Sequence, residues 1–510
     1  MPEPLPITID KGLGINTADG LFSLPLGMTD DCLNVDGDGT IVCAKRYGAQ
    51  RETSVTVPGA PVYDLAFVSP SLGIAEFHLW TLYSSSGIAR AGRYTPGGTA
   101  FGDVLSSGVN DSNGIGALVP AAADKVLVSG PLSRSTDGRF LTVNPQGGAY
   151  WAPYTGPGTL RSDLMFYHRL AVFVARHNSE TQSSRIFFSA LDNPLSYPAA
   201  NKVDVQNRGR YPNVDGLSGS GDLLYAGSLG QPSSVWAITG AAPETYRLER
   251  TNASFGFSGT RTCDALGNTM LGFATGLHTN ETAHPQDLFM MSGLEGKLFG
   301  NRVRSLVTDT ASWAYRDAKT KAWRTRGAVL FMPRRAYGAA ARDVLYYHAP
   351  SDSFWRWTLP ATIAPNCFEY EMGTMWIGGN DGFVFKLAES FSRDQGATFA
   401  TYTTFSSYWS TGALMDPHGF QTKVQRVIVY GKQTSGGATT MDVSRNGAAY
   451  AGSHTFTMTS TLAAYDLPVD DVGDAYYNRL RFTFPTDGVG CQIHKIVVYL
   501  KRVGRVGANA

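Results

Sequence analysis

The residue run that most resembles a chemical site lies around position 394. Residues 392–399 read Ser-Arg-Asp-Gln-Gly-Ala-Thr-Phe and fit the pattern Ser-x-Asp-x-Gly-x-Thr-aromatic. In such a run the Asp394 carboxylate caps backbone amides of a tight hairpin, and Gly396 supplies a positive φ. Weaker copies occur at 135–140 and 444–450. Because this chemistry is local to the turn, the pattern predicts a structural rather than a catalytic role for Asp394.

A second candidate is the carboxylate pair Glu369 and Glu371, which the two-residue period of a strand places on one face. Paired carboxyl groups can hydrolyse a glycosidic bond, but nothing in the spacing arranges this pair around a substrate. A sialidase-like enzyme would also need three arginines that converge on a carboxylate, and no arginine spacing singles out such a set. We therefore predict no catalytic residue and expect that the protein is not an enzyme.

Signatures of metal and cofactor sites are missing from the sequence. The nine histidines form no His-x-His or His-x-x-x-His pair, and the five cysteines form no Cys-x-x-Cys pair, so no metal site is predicted. Residues 34–39 resemble the start of a calcium loop, but Lys45 stands where that loop needs a bidentate Glu. A hairpin turn is predicted there instead, together with reduced buried thiols and no cofactor.

Two basic segments, 301–304 and 316–326, place Arg and Lys near Trp323. Over the whole chain 43 Lys and Arg balance 42 Asp and Glu, which gives no general electrostatic attraction to nucleic acid or membrane. A solvated or interface surface is therefore favoured over a base-stacking path. No apolar stretch is long enough to span a bilayer, and the first residues lack the regions of a secretory signal.

The elements that position these residues repeat roughly every 45 residues between about 60 and 390. Each copy joins short apolar runs across a turn rich in Gly, Asn, Asp or Ser. One example is 375–379 with 382–387, joined by Asn380-Asp381. Seven such copies begin near Leu65, Val126, Leu170, Leu223, Met270, Val329 and Met375. Repeats of this length that carry four strands are typical of a β-propeller, here of six or seven blades.

After residue 400 the pattern changes to strict alternation of apolar and polar residues. It is clearest at 423–432, 440–444, 478–484 and 492–501. Such alternation predicts an antiparallel β-sandwich with one solvated face. The sequence is thus predicted to be all-β. The expected domains are an extended N-terminal arm at 1–35, a β-propeller at 36–398 and a C-terminal β-sandwich at 399–510.

Several segments resemble, in order, the tail nozzle or hub proteins of short-tailed bacteriophages. The matching segments are 12–17 (Gly-Leu-Gly-Ile-Asn-Thr), 24–36 (a Leu-Pro-Leu-Gly turn, then Asn-Val-Asp), 45–48, 169–170, 189–197, 215–217 and 234–240. The basic end of the first hairpin, Lys-Arg-Tyr-Gly at 45–48, has fewer arginines than the usual pattern. The likeness is weaker after residue 400.

The resemblance implies a virion structural protein that forms a ring, usually a homo-hexamer, below the portal and adaptor of the phage tail. It implies adaptor, portal and tail fibre or tailspike proteins as partners, and assembly in the host cytoplasm. Genomic DNA would pass through the ring on ejection without sequence-specific contact. The alternative is a sialidase-like or glycan-binding β-propeller that acts on host surface carbohydrate.

Overall fold

The computed structural model describes most of the chain between residues 4 and 505. Outside the description lie 1–3, 53–60, 69–77, 86–87, 95–101, 111–117, 122–124, 129–138, 144–148, 154–161, 178–183, 195, 207–212, 230–232, 278–282, 309–317, 334–341, 362, 389, 396–400, 470–472 and 506–510. The described residues are mostly β-strand, and their one α-helix is the short segment Arg304–Thr308. The 3₁₀ turns include Leu21–Ser23, Pro243–Thr245, Asn301–Val303 and Arg324–Arg326.

Seven four-stranded antiparallel sheets, named S1 to S7, follow one another along the chain. S1 contains Val62–Val68, His78–Ser85, Ile88–Tyr94 and Gly102–Asn110; S2 contains Leu118–Ala121, Lys125–Val128, Arg139–Val143 and Ala149–Pro153; S3 contains Ser162–His168, Ala171–His177, Arg185–Phe188 and Lys202–Asp204; S4 contains Gly216–Ser220, Leu223–Ser228, Ser234–Thr239 and Arg247–Arg250. S5 contains Cys263–Leu266, Thr269–Leu277, Ala283–Ser292 and Glu295–Leu298; S6 contains Lys319–Trp323, Ala328–Met332, Arg342–His348 and Ser353–Leu359; S7 contains Pro365–Glu371, Thr374–Gly379, Val384–Ala388 and Gly48–Arg51. Each of the seven predicted repeats corresponds to one of these sheets.

Neighbouring sheets meet through their first strands. The first strand of each sheet from S1 to S6 contacts the first strand of the next sheet, and the first strand of S7 contacts that of S1. Apolar side chains fill the spaces between sheets: Leu217 and Leu224 of S4 pack with Phe173 and Ile186 of S3 in one buried cluster. Each sheet has two apolar faces, so it can bury both only between two neighbours.

S7 is completed by a strand from the other end of the chain. Gly48–Arg51 pairs antiparallel with Val384–Ala388, with Gly48 opposite Ala388 and Arg51 opposite Phe385. Gly48 is required there because a Cβ at this position would lie 2.2 Å from the Arg393 carbonyl oxygen. The edge strand of S7 is thus covered by residues that precede S1 in sequence.

Two larger sheets, S8 and S9, contain the C-terminal strands together with short strands from the N-terminal 45 residues. S8 contains Leu5–Ile9, Val35–Asp36, Cys43–Lys45, Phe420–Lys432, Ala463–Pro468 and Gln492–Arg505; S9 contains Cys32–Leu33, Ser407–Ser410, Thr439–Arg445, Ala451–Phe456 and Asn478–Phe484. Buried apolar side chains of both sheets belong to one cluster, in which Val427 and Val498 of S8 lie with Leu480 and Phe482 of S9. The four C-terminal strands predicted by alternation all occur, within three or four residues at each end.

The N-terminal segment differs from the extended arm predicted for 1–35. Leu5–Ile9 pairs with the strand Gln492–Arg505, and Cys32–Leu33 pairs with Ser407–Ser410. The same segment lies against Trp355 of S6: a Cβ at Gly12 would come within 2.8 Å of the indole ring. Residues assigned to a separate arm therefore form edges of S8 and S9. Two further short pairings, Gly14–Ile15 with Met28–Thr29 and Asp394–Gln395 with Tyr402–Thr403, lie outside these sheets.

Candidate functional site

Asp394, the acidic residue of the eight-residue pattern, lies in a buried ion pair. Its carboxylate accepts two hydrogen bonds from the Arg46 guanidinium, at 3.0 Å on Oδ1 and 2.6 Å on Oδ2. Both side chains are 0% exposed. Oδ1 also accepts a bond of 3.0 Å from the Ala49 amide. This arrangement favours a structural role for Asp394, but its main partner is 348 positions away rather than within its own turn.

Arg46 makes further contacts that join several parts of the fold. Its Nε donates to Asn34 Oδ1 at 2.9 Å, and its terminal nitrogen donates to the Thr358 carbonyl of S6 at 3.3 Å. Its guanidinium lies 3.7 Å from the centre of the Phe405 ring. Nearly every donor of this side chain is thus satisfied inside the protein, so this pair acts as a junction between S6, S7 and the C-terminal sheets.

The second concentration of charge lies where the first strands of the sheets meet. This first-strand cluster consists of Asp64, Arg261, Asp264, Lys321 and Glu369. Arg261 donates through Nε to Asp64 at 3.0 Å and pairs with Glu369 at 3.3 Å. Lys321 lies 2.6 Å from Glu369 and 3.5 Å from Asp264. The cluster therefore links the first strands of S1, S5, S6 and S7.

Arg261 extends these links to S2. Its terminal nitrogen donates to the Leu118 carbonyl of S2 at 2.5 Å and to the Leu65 carbonyl of S1 at 3.3 Å. Burial opposes its charged form, but Asp64 and Glu369 outweigh burial and raise the pKa of Arg261. The same balance raises the pKa of Lys321. Both cations are held charged by carboxylates that they in turn neutralise.

The predicted carboxylate pair is divided between two environments. Glu369 is held by Arg261 and Lys321. Burial and the neighbouring Glu369 raise the pKa of Glu371, while Lys321 and Arg324 act in the opposite direction. A carboxylate held by two cations is a poor nucleophile or base, so this arrangement favours a structural role for Glu369.

We expect Arg261→Met to lower the free energy of unfolding by about 2–3 kcal/mol, because it leaves Asp64 and Glu369 partly unpaired. Urea unfolding followed by tryptophan fluorescence measures the loss. The matched control is Arg169→Met, whose partner Asp222 is 82% exposed and whose loss should cost less than about 1 kcal/mol. Equal losses in the two variants would contradict a stabilising role for the cluster.

The basic segments are largely occupied by internal ion pairs. Arg304 pairs with the buried Asp287, and Arg302 lies 3.3 Å from Asp352. Arg326 pairs with Asp36 at 3.3 Å and lies over the Trp323 ring at 5.1 Å. Residues 309–317 lie outside the described part. The described arginines of these segments are thus paired with carboxylates of the same chain, which leaves less free positive charge for a nucleic-acid path.

The other candidate residues include the calcium-loop-like run and the cysteines. A hairpin forms at 34–39 as predicted, but its strands are Val35–Asp36 and Cys43–Lys45, so the connection spans residues 37–42 and is longer than a tight turn at 37–39. The five cysteines are buried free thiols. Among the described residues no group of three or more His, Cys, Asp or Glu is placed to hold a metal ion. The described helices include none long and apolar enough to cross a membrane. Residues 135–138 of the weaker copy at 135–140, and Gly396 of the main run, lie outside the described residues.

An aromatic cleft beside S9 was not expected from the sequence. It has a volume of about 630 Å³ and is lined by Phe22, Met415, Asp416, Gly419, Phe420, Asn446, Tyr476 and Tyr477. Phe22 is 62% exposed and Tyr476 is 52% exposed. Phe22 meets Tyr477 edge to face at 5.0 Å. These residues are distant in sequence. The bridges Leu414–Asn478 and Thr422–Ala475 bring the C-terminal ones together, and the contact of Phe22 with Tyr477 adds the N-terminal segment.

Comparison with known proteins gives only distant likenesses. No family model matches the sequence, and no curated protein is similar enough to count as a relative. A fungal alcohol oxidase of the AA5 family, solved with copper, shares 11% identity over 88% of this chain and 98% of its own, at a TM-score of 0.43. YCF48 bound to D1 peptide shares 10% identity over 66% and 94%, at 0.40. BamB from Moraxella catarrhalis shares 12% over 66% and 97%, at 0.35. At these scores none of them bears on the activity of this chain.

Proposed function

We propose that this protein is a virion structural protein, the ring-forming subunit of a phage tail nozzle or hub. One observation carries the proposal: residues 5–51 run through S8, S9 and S7 and so tie the seven-sheet unit to the C-terminal sheets. A subunit that transmits force along a tail needs such a rigid body. The order of sequence segments shared with nozzle proteins supports the same function.

The proposed architecture is a closed seven-bladed β-propeller with a two-sheet β-sandwich. The circular order of contacts between first strands supports closure, and the strand Gly48–Arg51 would lock the last blade to the first part of the chain. The apolar cluster shared by S8 and S9 supports the sandwich. In this architecture the first-strand cluster lies on the propeller axis.

A filled axis favours a DNA path between subunits rather than through a single propeller. Arg261 and Lys321, with their carboxylate partners, occupy the space where the first strands converge. The conduit would then be the central channel of a homo-hexameric ring beneath the portal and adaptor. Tail fibre or tailspike proteins would attach to the outside of that ring. The protein would be assembled in the host cytoplasm and remain in the virion.

The aromatic cleft is the proposed contact with the neighbouring subunit. Its exposed apolar residues Phe22, Met415 and Tyr476 lie together, and clustered exposed apolar surface is typical of protein interfaces. We expect Tyr476→Asp to convert rings into monomers, because a carboxylate would be desolvated at the contact. Mass photometry measures the fraction of rings. The control is Leu462→Asp, an equally exposed position at 54%, which should leave the rings intact.

Electron microscopy of the purified chain, alone and mixed with portal and adaptor proteins, tests the proposal as a whole. We expect six-fold rings that dock end-on to the adaptor. A chain that stays monomeric at high concentration and never docks would refute the ring function.

A second candidate function, glycan binding, is favoured by the aromatic character of the same cleft. Sugar rings stack on exposed aromatic side chains, and Phe22, Phe420, Tyr476 and Tyr477 all line it. A glycan array distinguishes the two functions. Binding of a defined host glycan that Tyr476→Asp abolishes, without any ring formation, would favour the glycan-binding propeller.

A further inference from the structure

A pocket of about 290 Å³ lies between S6 and S7, at the end where the first and second strands of each sheet are joined. Trp323, Thr325 and Arg326 form its wall on the S6 side, and residues 373–374 and 386–388 form its wall on the S7 side. Beside it the two sheets are joined by a long hydrogen bond of 3.4 Å, from Thr325 Oγ1 to the Gly373 carbonyl. This cavity, named the S6–S7 pocket, has no part in the ring function proposed above.

Hydrogen-bond donors predominate among the polar side chains that line the S6–S7 pocket. Arg326 and Lys386 are cations, and Thr325 and Thr374 carry hydroxyl groups. None of the described lining residues carries a carboxylate. Such a set of donors matches the oxygen atoms of a phosphate or carboxylate group, which accept hydrogen bonds and carry negative charge.

Arg326 has donors that the fold does not use. Among the described residues its hydrogen bonds consist of one contact of 3.3 Å, from Nη1 to Asp36 Oδ2, although a guanidinium carries five N–H groups. By contrast, Arg46 and Arg261 each donate from all three side-chain nitrogens to acceptors inside the fold. The Arg326 side chain is 24% exposed and lines the pocket, so its remaining donors can serve a ligand there.

The guanidinium of Arg326 is held both in position and in its charged form. It lies 4.5 Å from the centre of the Tyr47 ring, 5.1 Å from that of Trp323 and 5.7 Å from that of Tyr346. Burial opposes the charged form, but Asp36 and the neighbouring tyrosines outweigh burial and raise the pKa of Arg326. A cation fixed in this way loses little conformational freedom when it binds an anion.

Lys386 brings a second positive charge to the pocket from S7. Its Nζ lies 2.8 Å from Glu52 Oε2, and this contact uses one of the three donors of the ammonium group. The side chain of Lys386 is 31% exposed, whereas that of Glu52 is 14% exposed. Glu52 and Asp36 are both outside the pocket lining. An anion in the pocket therefore contacts the two cations rather than their carboxylate partners.

We propose that the S6–S7 pocket binds a small oxyanion, the phosphate or carboxylate group of a small molecule. Arg326 binds two oxygens of this group through parallel N–H donors, which is the geometry that favours arginine over lysine. Lys386 adds a point charge from the opposite wall, and the Thr374 hydroxyl adds a further donor. The volume is near the lower limit for small-molecule sites, so it fits a compact ligand. The bound anion joins S6 to S7 and stabilises the folded chain.

Isothermal titration calorimetry of the full chain with inorganic phosphate and, separately, with succinate tests the proposal at neutral pH and constant ionic strength. We expect saturable binding of at least one of the two anions in the millimolar range or tighter. The melting temperature should rise with the concentration of the anion that binds. The tighter of the two anions identifies the group that the site prefers. Methyl glucoside, a neutral sugar of similar size, should not bind.

Arg326→Gln should weaken binding about tenfold or more, because it removes charge-assisted hydrogen bonds, and should abolish the rise in melting temperature. The matched control is Arg302→Gln, which breaks another arginine–aspartate contact of 3.3 Å outside the pocket and should bind like the wild type. Thr374→Val leaves every charge in place and should weaken binding several-fold. It keeps the test decisive if Arg326→Gln does not fold.

Absence of saturable binding of both anions by the wild-type chain would overturn the assignment. Equal affinities of folded Arg326→Gln and Arg302→Gln would overturn it as well, and so would binding of methyl glucoside without binding of either anion. The assay needs no ring, so its outcome is independent of the proposed ring function.

Discussion

Asp394→Ala is expected to lower the free energy of unfolding by about 3–5 kcal/mol, because it leaves the Arg46 guanidinium buried without its carboxylate. The two side chains are fully buried and share two hydrogen bonds. The substitution also removes the acceptor of the Ala49 amide. A residue that merely capped its own turn would lose only about 1 kcal/mol.

Urea unfolding measures this loss, and two variants make the result specific. The double variant Arg46→Met/Asp394→Leu should recover much of the stability, because a buried ion pair can be replaced by apolar side chains at little cost. Asp466→Ala is the matched control. It breaks an Arg–Asp pair of similar geometry, at 2.7 and 2.5 Å from Arg426, but on the surface, so no measurable shift is expected. A loss near 1 kcal/mol for Asp394→Ala would contradict the ion-pair role and support the interpretation that Asp394 only caps its own turn.

The contrast shows what a local sequence pattern can predict. The pattern at 392–399 predicts a structural role for Asp394, because the residues that define the pattern are adjacent in sequence. It cannot predict Arg46, because nothing in the spacing of two residues 348 positions apart indicates that they meet. Buried ion pairs between distant segments leave no periodic signal in a sequence.

The seven sheets could be predicted for the opposite reason. Strand pairs such as Thr374–Gly379 with Val384–Ala388 are joined by short turns, so local alternation and turn residues specify them. The same holds for the C-terminal strands, whose buried residues alternate strictly, as in Asn478–Phe484. Hairpin pairings and the strand character of alternating segments are encoded locally and appear in the pattern. The pairing of distant strands, such as Phe420–Lys432 with Gln492–Arg505, is not.

Only one residue of the first-strand cluster can be singled out from the sequence. Glu369 is a candidate because of its spacing from Glu371, but its partners Arg261 and Lys321 lie in other repeats. The strand that completes S7 was missed entirely, because Gly48–Arg51 is four residues long and lies far from its partner in sequence. Both features arise from contacts between residues of distant segments, which no single repeat contains.

The N-terminal segment is where the predicted and the observed structure differ most. Its removal is also expected to have a large effect on stability. Isolated apolar residues such as Leu13 and Ile15 have no amphipathic period, so the sequence predicts an arm that lies along another surface, either a neighbouring subunit or the first and last repeats. In the structure that surface belongs to the same chain. Ile9, Ile15 and Met28 are buried at 2%, 2% and 5% exposure, and Leu5–Ile9 forms one edge of S8.

Deletion of residues 1–30 is therefore expected to give an unstable and largely insoluble protein. The deletion removes three buried apolar side chains and exposes the apolar surface that they cover. Burial of such a side chain contributes about 1.5–3 kcal/mol, and the sum of the three approaches the whole stability of a typical domain. The deletion also leaves the backbone N–H and C=O groups along one side of Gln492–Arg505 unpaired. Such an exposed strand edge can pair with other chains and cause aggregation. Soluble yield, circular dichroism and the urea midpoint measure the effect. Deletion of residues 1–4 is the control and should change none of these, because it ends before the first strand begins. A soluble 31–510 chain with an unchanged urea midpoint would show that the segment is an arm after all, held for a neighbouring subunit rather than for its own sheets.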